Sequence, residues 1–297
     1  MPEATPTPIK AELLRSWSLP EQGGNKSDRG TVLVVGGARQ TPGAVLLAAE
    51  AALRVGAGKV QVATASDTAS AVAVALPEAF VQGLPVLHSG ELAVAGADRV
   101  VELAQGADVV LLGSGLGDPE CADLLLTQIV PRLDNLVVLD ALGTAFLTGR
   151  LDGVRHLAGR VLLTPNLTET AAMLERSEDE VGDDQLGAAR AVAEATGAAV
   201  LSGGEVSYVV SPGGDAWSCD AGVPGLATAG SGDVKAGLVT GLLARGATPE
   251  QAAAWGAWAH ARAGERLSQE RPGFLARDVM LELPLELRRT EEPGSSS

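Results

Sequence analysis

The chain has 297 residues, of which 46% are hydrophobic and 20% charged, as is typical of a globular protein with one layered domain or two small ones. Its formal net charge of −15, without clusters of basic residues, argues against nucleic acid and anionic membranes as partners. Cys121 and Cys219 are the only two cysteines and stand far apart, so the sequence predicts neither a disulfide framework nor a zinc site.

The two ends of the chain differ in composition from the middle. No apolar run approaches the roughly 20 residues that a bilayer requires, and residues 1–8 lack the pattern of a secretory signal. We therefore predict a cytoplasmic protein without a membrane span. We assign residues 1–29 to an N-terminal extension that the fold can dispense with, residues 30–290 to a single domain, and residues 291–297 to a flexible tail.

Between the ends, short β-branched apolar runs alternate with longer Ala/Leu-rich stretches, and glycine or proline separates most of them. Strands are predicted at 31–35, 59–63, 109–112, 136–139, 160–163, 199–201 and 207–210. Helices are predicted at 43–56, 67–75, 90–106, 121–133, 168–176, 184–196, 233–245 and 249–269.

Most of the predicted strands are continuously apolar, which favours a parallel sheet buried on both faces. The alternation of strands and helices predicts an α/β fold, a three-layer α/β/α sandwich with ligands at the carboxyl ends of the strands. Residues 207–219 contain two short strands joined by Pro-Gly-Gly, which predicts an antiparallel hairpin at one edge of the sheet.

The strongest functional signal is the segment Ala229-Gly230-Ser231-Gly232-Asp233, which leads into a helix. Gly230 and Gly232 allow a tight turn whose bare N–H groups can hold a phosphoryl group. Asp233 then lies in the first helical turn, where a carboxylate can accept a proton from an attacking hydroxyl. The alternative interpretation is that Ser231 or Asp233 only caps the helix.

The longer segment Gly-Leu-Ala-Thr-Ala-Gly-Ser-Gly-Asp-Val resembles the signature of the ADP-dependent NAD(P)H-hydrate dehydratase family, in the ribokinase-like superfamily. Other segments agree in order and spacing over roughly residues 26–268. They are Val-Val-Gly-Gly-Ala ending at Ala38, Pro42-Gly-Ala44, Leu112-Gly-Ser-Gly-Leu-Gly117, Leu139-Asp-Ala141 and Leu163-Thr-Pro165 with Glu169.

The resemblance implies a ribokinase-like catalytic domain that uses ADP or ATP with Mg²⁺ to dehydrate hydrated NADH or NADPH. The nucleotide phosphorylates the ring hydroxyl and phosphate then leaves. The enzyme would be a homo-oligomer, a tetramer in many relatives. The implied catalytic residues are Asp233, Gly230 and Gly232; the implied substrate-binding residues are Ala44, Gly115, Asn166 and Asp233; the implied nucleotide-binding residues are Ser202, Gly203, Gly204, Glu205, Val206, Ser207 and Gly232.

Three positions depart from the family pattern. Asn166 stands where the family usually has His, Ser202 where it usually has Lys, and Leu142 where a second Asp usually follows Leu-Asp-Ala. Losing the lysine removes a point charge from the phosphate region.

The segment Thr-Pro-Asn166-x-x-Glu169 is similar to one in small-molecule kinases of vitamin pathways. It suggests a Mg²⁺ site in which Glu169 acts through water, and a vitamin-precursor or sugar-like alcohol as the alternative substrate. A helix cap would produce the same pattern. His260, on an Ala-rich helix, is interpreted as a satisfied core histidine.

Overall fold

The structure is a computed structural model that describes residues 5–21, 24–26 and 28–292, and within them the strands form one ten-stranded sheet. In chain order the strands are β1 (Thr7–Pro8), β2 (Thr31–Val35), β3 (Lys59–Ala65), β4 (Phe80–Leu84), β5 (Val109–Leu112), β6 (Leu136–Leu139), β7 (Val161–Leu163), β8 (Ala199–Ser202), β9 (Ser207–Val210) and β10 (Ala216–Cys219).

The strand order across the sheet is β1-β10-β9-β8-β7-β6-β5-β2-β3-β4. Neighbours from β8 to β4 all pair in parallel, while β9 is antiparallel to both β8 and β10. The predicted mostly parallel sheet with an antiparallel hairpin is therefore confirmed.

Eleven helices are assigned in the described part of the chain, and none of them is long and apolar enough to cross a membrane. They are α1 (Ala11–Ser16), α2 (Pro42–Arg54), α3 (Ser66–Ala75), α4 (Ala97–Ala104), α5 (Pro119–Ile129), α6 (Leu167–Leu174), α7 (Glu178–Asp183), α8 (Gln185–Thr196), α9 (Ser231–Ala244), α10 (Pro249–Glu270) and α11 (Ala276–Glu291).

Side chains of one strand point alternately into two hydrophobic cores, one on each face of the sheet. In β2, Val32 and Val34 pack with α2, α9, α10 and α11, whereas Leu33 and Val35 pack with α4, α5 and α8. All four side chains are at most 2% exposed, so the strand has to be apolar throughout. The predicted three-layer α/β/α sandwich is confirmed.

The N-terminal segment is part of this sandwich, which corrects the expectation that the fold can dispense with it. β1 pairs with β10, so the hairpin is not the outermost part of the sheet. Leu14 is fully buried, and the carbonyl oxygen of Trp17 accepts hydrogen bonds from Trp255 Nε1 at 2.9 Å and Gln251 Nε2 at 3.0 Å. Apolar residues spaced among the prolines anchor the segment despite its polar composition.

The sequence analysis did not predict β4, α1, α7 or α11. It predicted one helix at 90–106, where the structure has a 3-10 turn followed by the shorter helix α4. β4 has a single neighbour, β3, and its sequence includes Gln and Gly, so it lacks the apolar run of a central strand. Of the predicted tail, Glu291 ends α11, and residues 293–297 lie outside the described residues.

Small residues let α2 and α9 approach closely. A methyl group on Gly237 would overlap the carbonyl oxygen of Ala48, and one on Gly241 would lie 2.6 Å from the carbonyl oxygen of Ala52. Glycine at these two positions therefore fixes the distance between the two helices, both of which begin at the carboxyl ends of the strands.

Candidate active site at the carboxyl ends of the strands

The loops that follow β2 and β5 are joined by backbone hydrogen bonds. Ala38 N donates to the carbonyl oxygen of Gly115 at 2.7 Å, and Thr41 Oγ1 donates to the same oxygen at 2.6 Å. Gly115 has φ 71°, and a Cβ there would lie 2.7 Å from Cβ of Ala44. Ala44 and Gly115, two of the predicted substrate-binding residues, are thus direct neighbours, and no side chain fits between them.

The segment 229–233 forms a turn in front of α9. Gly230 is the N-cap residue with φ 87°, and no side chain caps this end of the helix. A Cβ on Gly230 would lie 2.5 Å from Leu47 Cδ1, so the turn requires glycine for both its conformation and its space. Ser231 is inside the helix and Asp233 makes no capping bond, so the capping interpretation does not describe this turn.

Asp233 is a half-buried carboxylate with an altered acidity. Burial, with the nearby negative charge of Asp140, raises the pKa of Asp233 to about 7, and a hydrogen bond with Ser114 acts in the opposite direction. A carboxyl with this pKa is partly ionised at neutral pH and can accept a proton there. Because Ser114 precedes Gly115, Asp233 faces the neighbourhood of the Ala44 and Gly115 pair.

Asp140 ends β6 and is a site residue that sequence reasoning did not single out. It is 6% exposed; Oδ1 accepts a hydrogen bond from Thr164 Oγ1 at 2.7 Å, and Oδ2 accepts one from Ser114 Oγ at 3.3 Å. Burial is the main reason why the pKa of Asp140 is raised. An acidic residue at the end of an apolar strand was the available signal, since such a side chain is buried only when it is paired.

Asn166 and Glu169 begin α6 and form a capping box. Glu169 N donates to Asn166 Oδ1 at 2.9 Å, Asn166 N donates to Glu169 Oε2 at 3.0 Å, and Asn166 Nδ2 donates to Glu169 Oε1 at 2.9 Å. Burial raises the pKa of Glu169 to about 7. The Asn-x-x-Glu pattern that suggested a vitamin kinase is therefore accounted for by the helix cap.

The side chains do not form a metal site on their own. No group of three or more His, Cys, Asp or Glu residues that could hold an ion occurs among residues 5–21, 24–26 and 28–292. Both carboxylate oxygens of Glu169 are already bonded to Asn166. A water-mediated Mg²⁺ contact at Glu169 stays a prediction.

Next to these groups lies a cavity of about 960 Å³, large enough for a nucleotide. Its wall includes the first turns of α6 and α9, the loop after β8 and the 3-10 turn Pro224–Leu226. Among the predicted site residues, those lining it are Asn166, Gly203, Gly204, Glu205, Ser207 and Gly232.

Seven predicted residues lie outside the lining: Ala44, Gly115, Glu169, Ser202, Val206, Gly230 and Asp233. Ser202 is fully buried, and its hydroxyl accepts a hydrogen bond from Gln185 Nε2 at 3.1 Å. Gln185 Nε2 also donates to the carbonyl oxygen of Val206 at 3.2 Å, so the two ends of this loop are tied to α8 instead of facing the cavity.

His260 supports the turn from behind. It is 9% exposed, and Nε2 lies 3.0 Å from Ser231 Oγ and 3.2 Å from the carbonyl oxygen of Ser231. Burial lowers the pKa of His260 to about 3, so the ring is neutral at physiological pH. His260 is thus hydrogen-bonded, as expected of a satisfied core histidine, and its partner is the first residue of α9; its ring also lines the cavity, so its role stays a prediction.

Lys235, on α9, is a second residue that sequence reasoning missed. It is half-buried and lines the cavity. Burial lowers the pKa of Lys235, while the charges of Asp140 and Glu169 act in the opposite direction. A lysine within a helix that otherwise has small and apolar residues was the signal, because such helices bury most of their surface.

Comparison with known proteins agrees with this geometry. The family model described as NAD(P)H-hydrate dehydratase matches residues 32–284. An ADP-dependent (S)-NAD(P)H-hydrate dehydratase of Xanthomonas campestris is 40% identical over 93% of this chain and 94% of its own length. The chain spans about half the length of the bifunctional NAD(P)H-hydrate repair enzymes that it also matches.

Solved structures show the same fold. A ribokinase-like superfamily protein of Enterococcus faecalis superimposes with a TM-score of 0.83 at 22% identity, covering 97% of both chains. An ADP/ATP-dependent NAD(P)H-hydrate dehydratase of Bacillus subtilis, co-crystallised with ATP and Mg²⁺, superimposes with a TM-score of 0.80 at 25% identity, covering 97% of this chain and 100% of that one. The family model over residues 32–284 and the 40% identical relative, together with the ribokinase-like fold, establish that this chain belongs to the NAD(P)H-hydrate dehydratase family.

Proposed function

We propose that this protein is a nucleotide-dependent dehydratase that converts hydrated NADH or NADPH back to the reduced dinucleotide. The observation that carries the proposal is the position of Asp233. It lies at an uncapped helix N-terminus, has a pKa of about 7, and is close enough to form a hydrogen bond with Ser114, which precedes Gly115. Its helix neighbours Gly232 and Lys235 line the cavity, which supports a role for this carboxylate beside both binding regions.

In the first step, Asp233 accepts the proton of the hydroxyl on the hydrated ring while that oxygen attacks the terminal phosphorus of ADP or ATP. The bond between this phosphorus and its bridging oxygen breaks, and AMP or ADP leaves. N–H groups at the start of α9, near Gly230 and Gly232, stabilise the charge on the migrating phosphoryl group. In the second step the lone pair of the ring nitrogen expels phosphate and leaves an iminium ion. Loss of a proton from the adjacent ring carbon to the departing phosphate or to solvent then restores the reduced ring.

The binding regions follow from the geometry of the glycines. The hydrated dinucleotide binds beside Ala44 and Gly115, where the absence of larger side chains lets it approach the backbone. Asn166, at the cavity wall, contacts the substrate from the opposite side. The nucleotide fills the cavity along residues 203–207 and reaches Gly232.

Several further properties of the protein stay predictions that follow from the resemblance. We expect Mg²⁺ to arrive with the nucleotide phosphates, since this ion retains most of its water ligands in such sites. We also expect a cytoplasmic homo-oligomer, a tetramer by analogy with relatives, and a catalytic domain at residues 30–290 against which the N-terminal segment packs.

The proposal is tested by incubating the protein with hydrated NADH or hydrated NADPH, each with ADP or ATP. We expect the absorbance of the dihydronicotinamide ring to return only when a nucleotide is present, with AMP or ADP and phosphate released in equal amounts. Reactions without nucleotide are the control. If no combination restores the absorbance and the protein instead phosphorylates a vitamin-precursor alcohol, the dehydratase proposal is wrong.

A further inference from the structure

Lys235 lies on α9 and places its side-chain amine at the wall of the nucleotide cavity. Its side chain extends from α9 across to the loop that follows β8. A Cβ built on Gly203 would lie 3.0 Å from Lys235 Nζ, so the amine stands directly over this glycine. Any larger residue at position 203 would occupy the space next to the amine.

The residues that line the cavity carry few positive charges besides Lys235. Lys235 is the only Lys or Arg among the described residues that line the cavity, whereas two of the lining residues are acidic, Glu178 and Glu205. The whole chain carries a net charge of −15. An anionic nucleotide therefore meets an unfavourable field everywhere except near Lys235 and the start of α9.

Within the described part of the chain, the amine of Lys235 has no acidic side chain as an ion-pair partner. Asp140 and Glu169 are close enough to influence it electrostatically, but no hydrogen bond or ion pair within 4.0 Å joins Lys235 Nζ to either of them. By contrast, Arg150 and Arg266 each form an ion pair with an acidic side chain. A partly buried amine without such a partner retains its capacity to bind an anion from outside.

The position of the amine bears on the missing lysine at residue 202. The hydroxyl of Ser202 is buried and bonded to Gln185, so this strand end offers no charge of its own. The next residue is Gly203, over which Lys235 Nζ stands. The amine of Lys235 on α9 thus lies next to the end of β8, which has no charged side chain of its own.

We propose that Lys235 is a phosphate ligand of the bound nucleotide and supplies the positive charge that residue 202 lacks. This inference rests on the proposed function in that it takes ADP or ATP as the occupant of the cavity. It deepens that function by assigning the nucleotide's phosphates to the space between Lys235 Nζ, Gly203 and the first turn of α9.

The test is the affinity for ADP, measured by calorimetry on the full chain, of the wild type and of Lys235→Met, which keeps the length of the side chain but removes its charge. We expect the dissociation constant for ADP to rise about tenfold or more, as for the loss of a hydrogen bond to a charged group. The salt dependence of binding should become weaker in the same variant. Lys10→Met, which removes an exposed lysine ahead of α1, is the matched control and should leave the affinity unchanged.

A purely structural role for Lys235 gives a different result. In that case the KM for the hydrated dinucleotide rises as much as that for ADP, or the melting temperature falls sharply, and the inference is overturned. A change of less than twofold in ADP affinity overturns it as well, as does a wild type that binds no ADP. Binding of ADP that depends on Lys235, in a protein without dehydratase activity, would support the inference while refuting the proposed function.

Discussion

The turns that begin α6 and α9 carry a carboxylate at the same helical position, Glu169 and Asp233, yet they differ at the N-cap residue. In α6 the N-cap is Asn166, which binds Glu169 through a capping box. In α9 the N-cap is Gly230, which has no side chain, so Asp233 has no capping partner and the helix end is open. The identity of the N-cap residue thus decides whether the carboxylate stabilises its own helix or is available for chemistry.

The comparison predicts its largest effect for Asp233→Asn, which keeps the shape of the side chain but cannot accept the proton. We expect kcat to fall by about 10² or more, with ADP affinity nearly unchanged. Because the pKa of Asp233 is raised to about 7, the wild-type rate should decrease about tenfold for each pH unit below that value as the carboxylate becomes protonated. Steady-state rates between pH 5 and 9 test both statements.

A matched control for this variant is Asp98→Asn, which changes an exposed carboxylate in the first turn of α4, on the face of the sheet opposite α9. It should leave kcat and the pH profile unaltered. If Asp233→Asn also retains its turnover, Asp233 is not the base. The difference between the turns of α6 and α9 would then be unrelated to catalysis.

An intermediate effect is expected for Gly230→Ala, which places a methyl group in the open turn. Its φ of 87° and the overlap with Leu47 should lower the free energy of unfolding by about 1–3 kcal/mol. Urea denaturation measures this change. Gly197→Ala is the control, because Gly197 has φ 69° but nothing within 4 Å of a new Cβ, so it reports the backbone strain alone. Equal losses in the two variants would show that Leu47 does not confine the turn.

The smallest effect is expected for Glu169→Gln, because glutamine also completes a capping box. We expect kcat within about threefold of wild type and an unfolding free energy within about 0.5 kcal/mol. Glu180→Gln, in the capping box that Ser177 and Glu180 form at α7, provides the same change away from the site. A tenfold loss of turnover in Glu169→Gln alone would indicate that Glu169 has a chemical role, such as the predicted water-mediated contact with Mg²⁺.

Much of the fold could be predicted because its central strands are apolar on both faces, as in β2 and β5, and such runs are visible in a sequence. β4 was missed because an edge strand needs fewer apolar residues. The N-terminal segment was misjudged because its composition hides the few side chains, such as Leu14, that anchor it.

The site divides in the same way. The turn at Gly230 and Asp233 was predictable because contiguous residues form it, and glycine and aspartate each have a local reason to be there. Asp140 and Lys235 were not, since their importance depends on neighbours that are remote in sequence: Ser114 and Thr164 for the first, Gly203 for the second. A single sequence shows that a polar residue follows an apolar strand or interrupts an apolar helix, but it does not show which remote residues that side chain meets.

The close contact between α2 and α9 has a consequence for how the enzyme can move. Ala44 and Asp233 lie in the first turns of these two helices, and Gly237 and Gly241 hold the helices at backbone-to-backbone distance further along. Sliding or opening one helix against the other would break packing along most of their length. We therefore expect Asp233 and the site beside Ala44 and Gly115 to be in position before any ligand binds. Adaptation to different ligands would then require movement of the loops on the far side of the cavity.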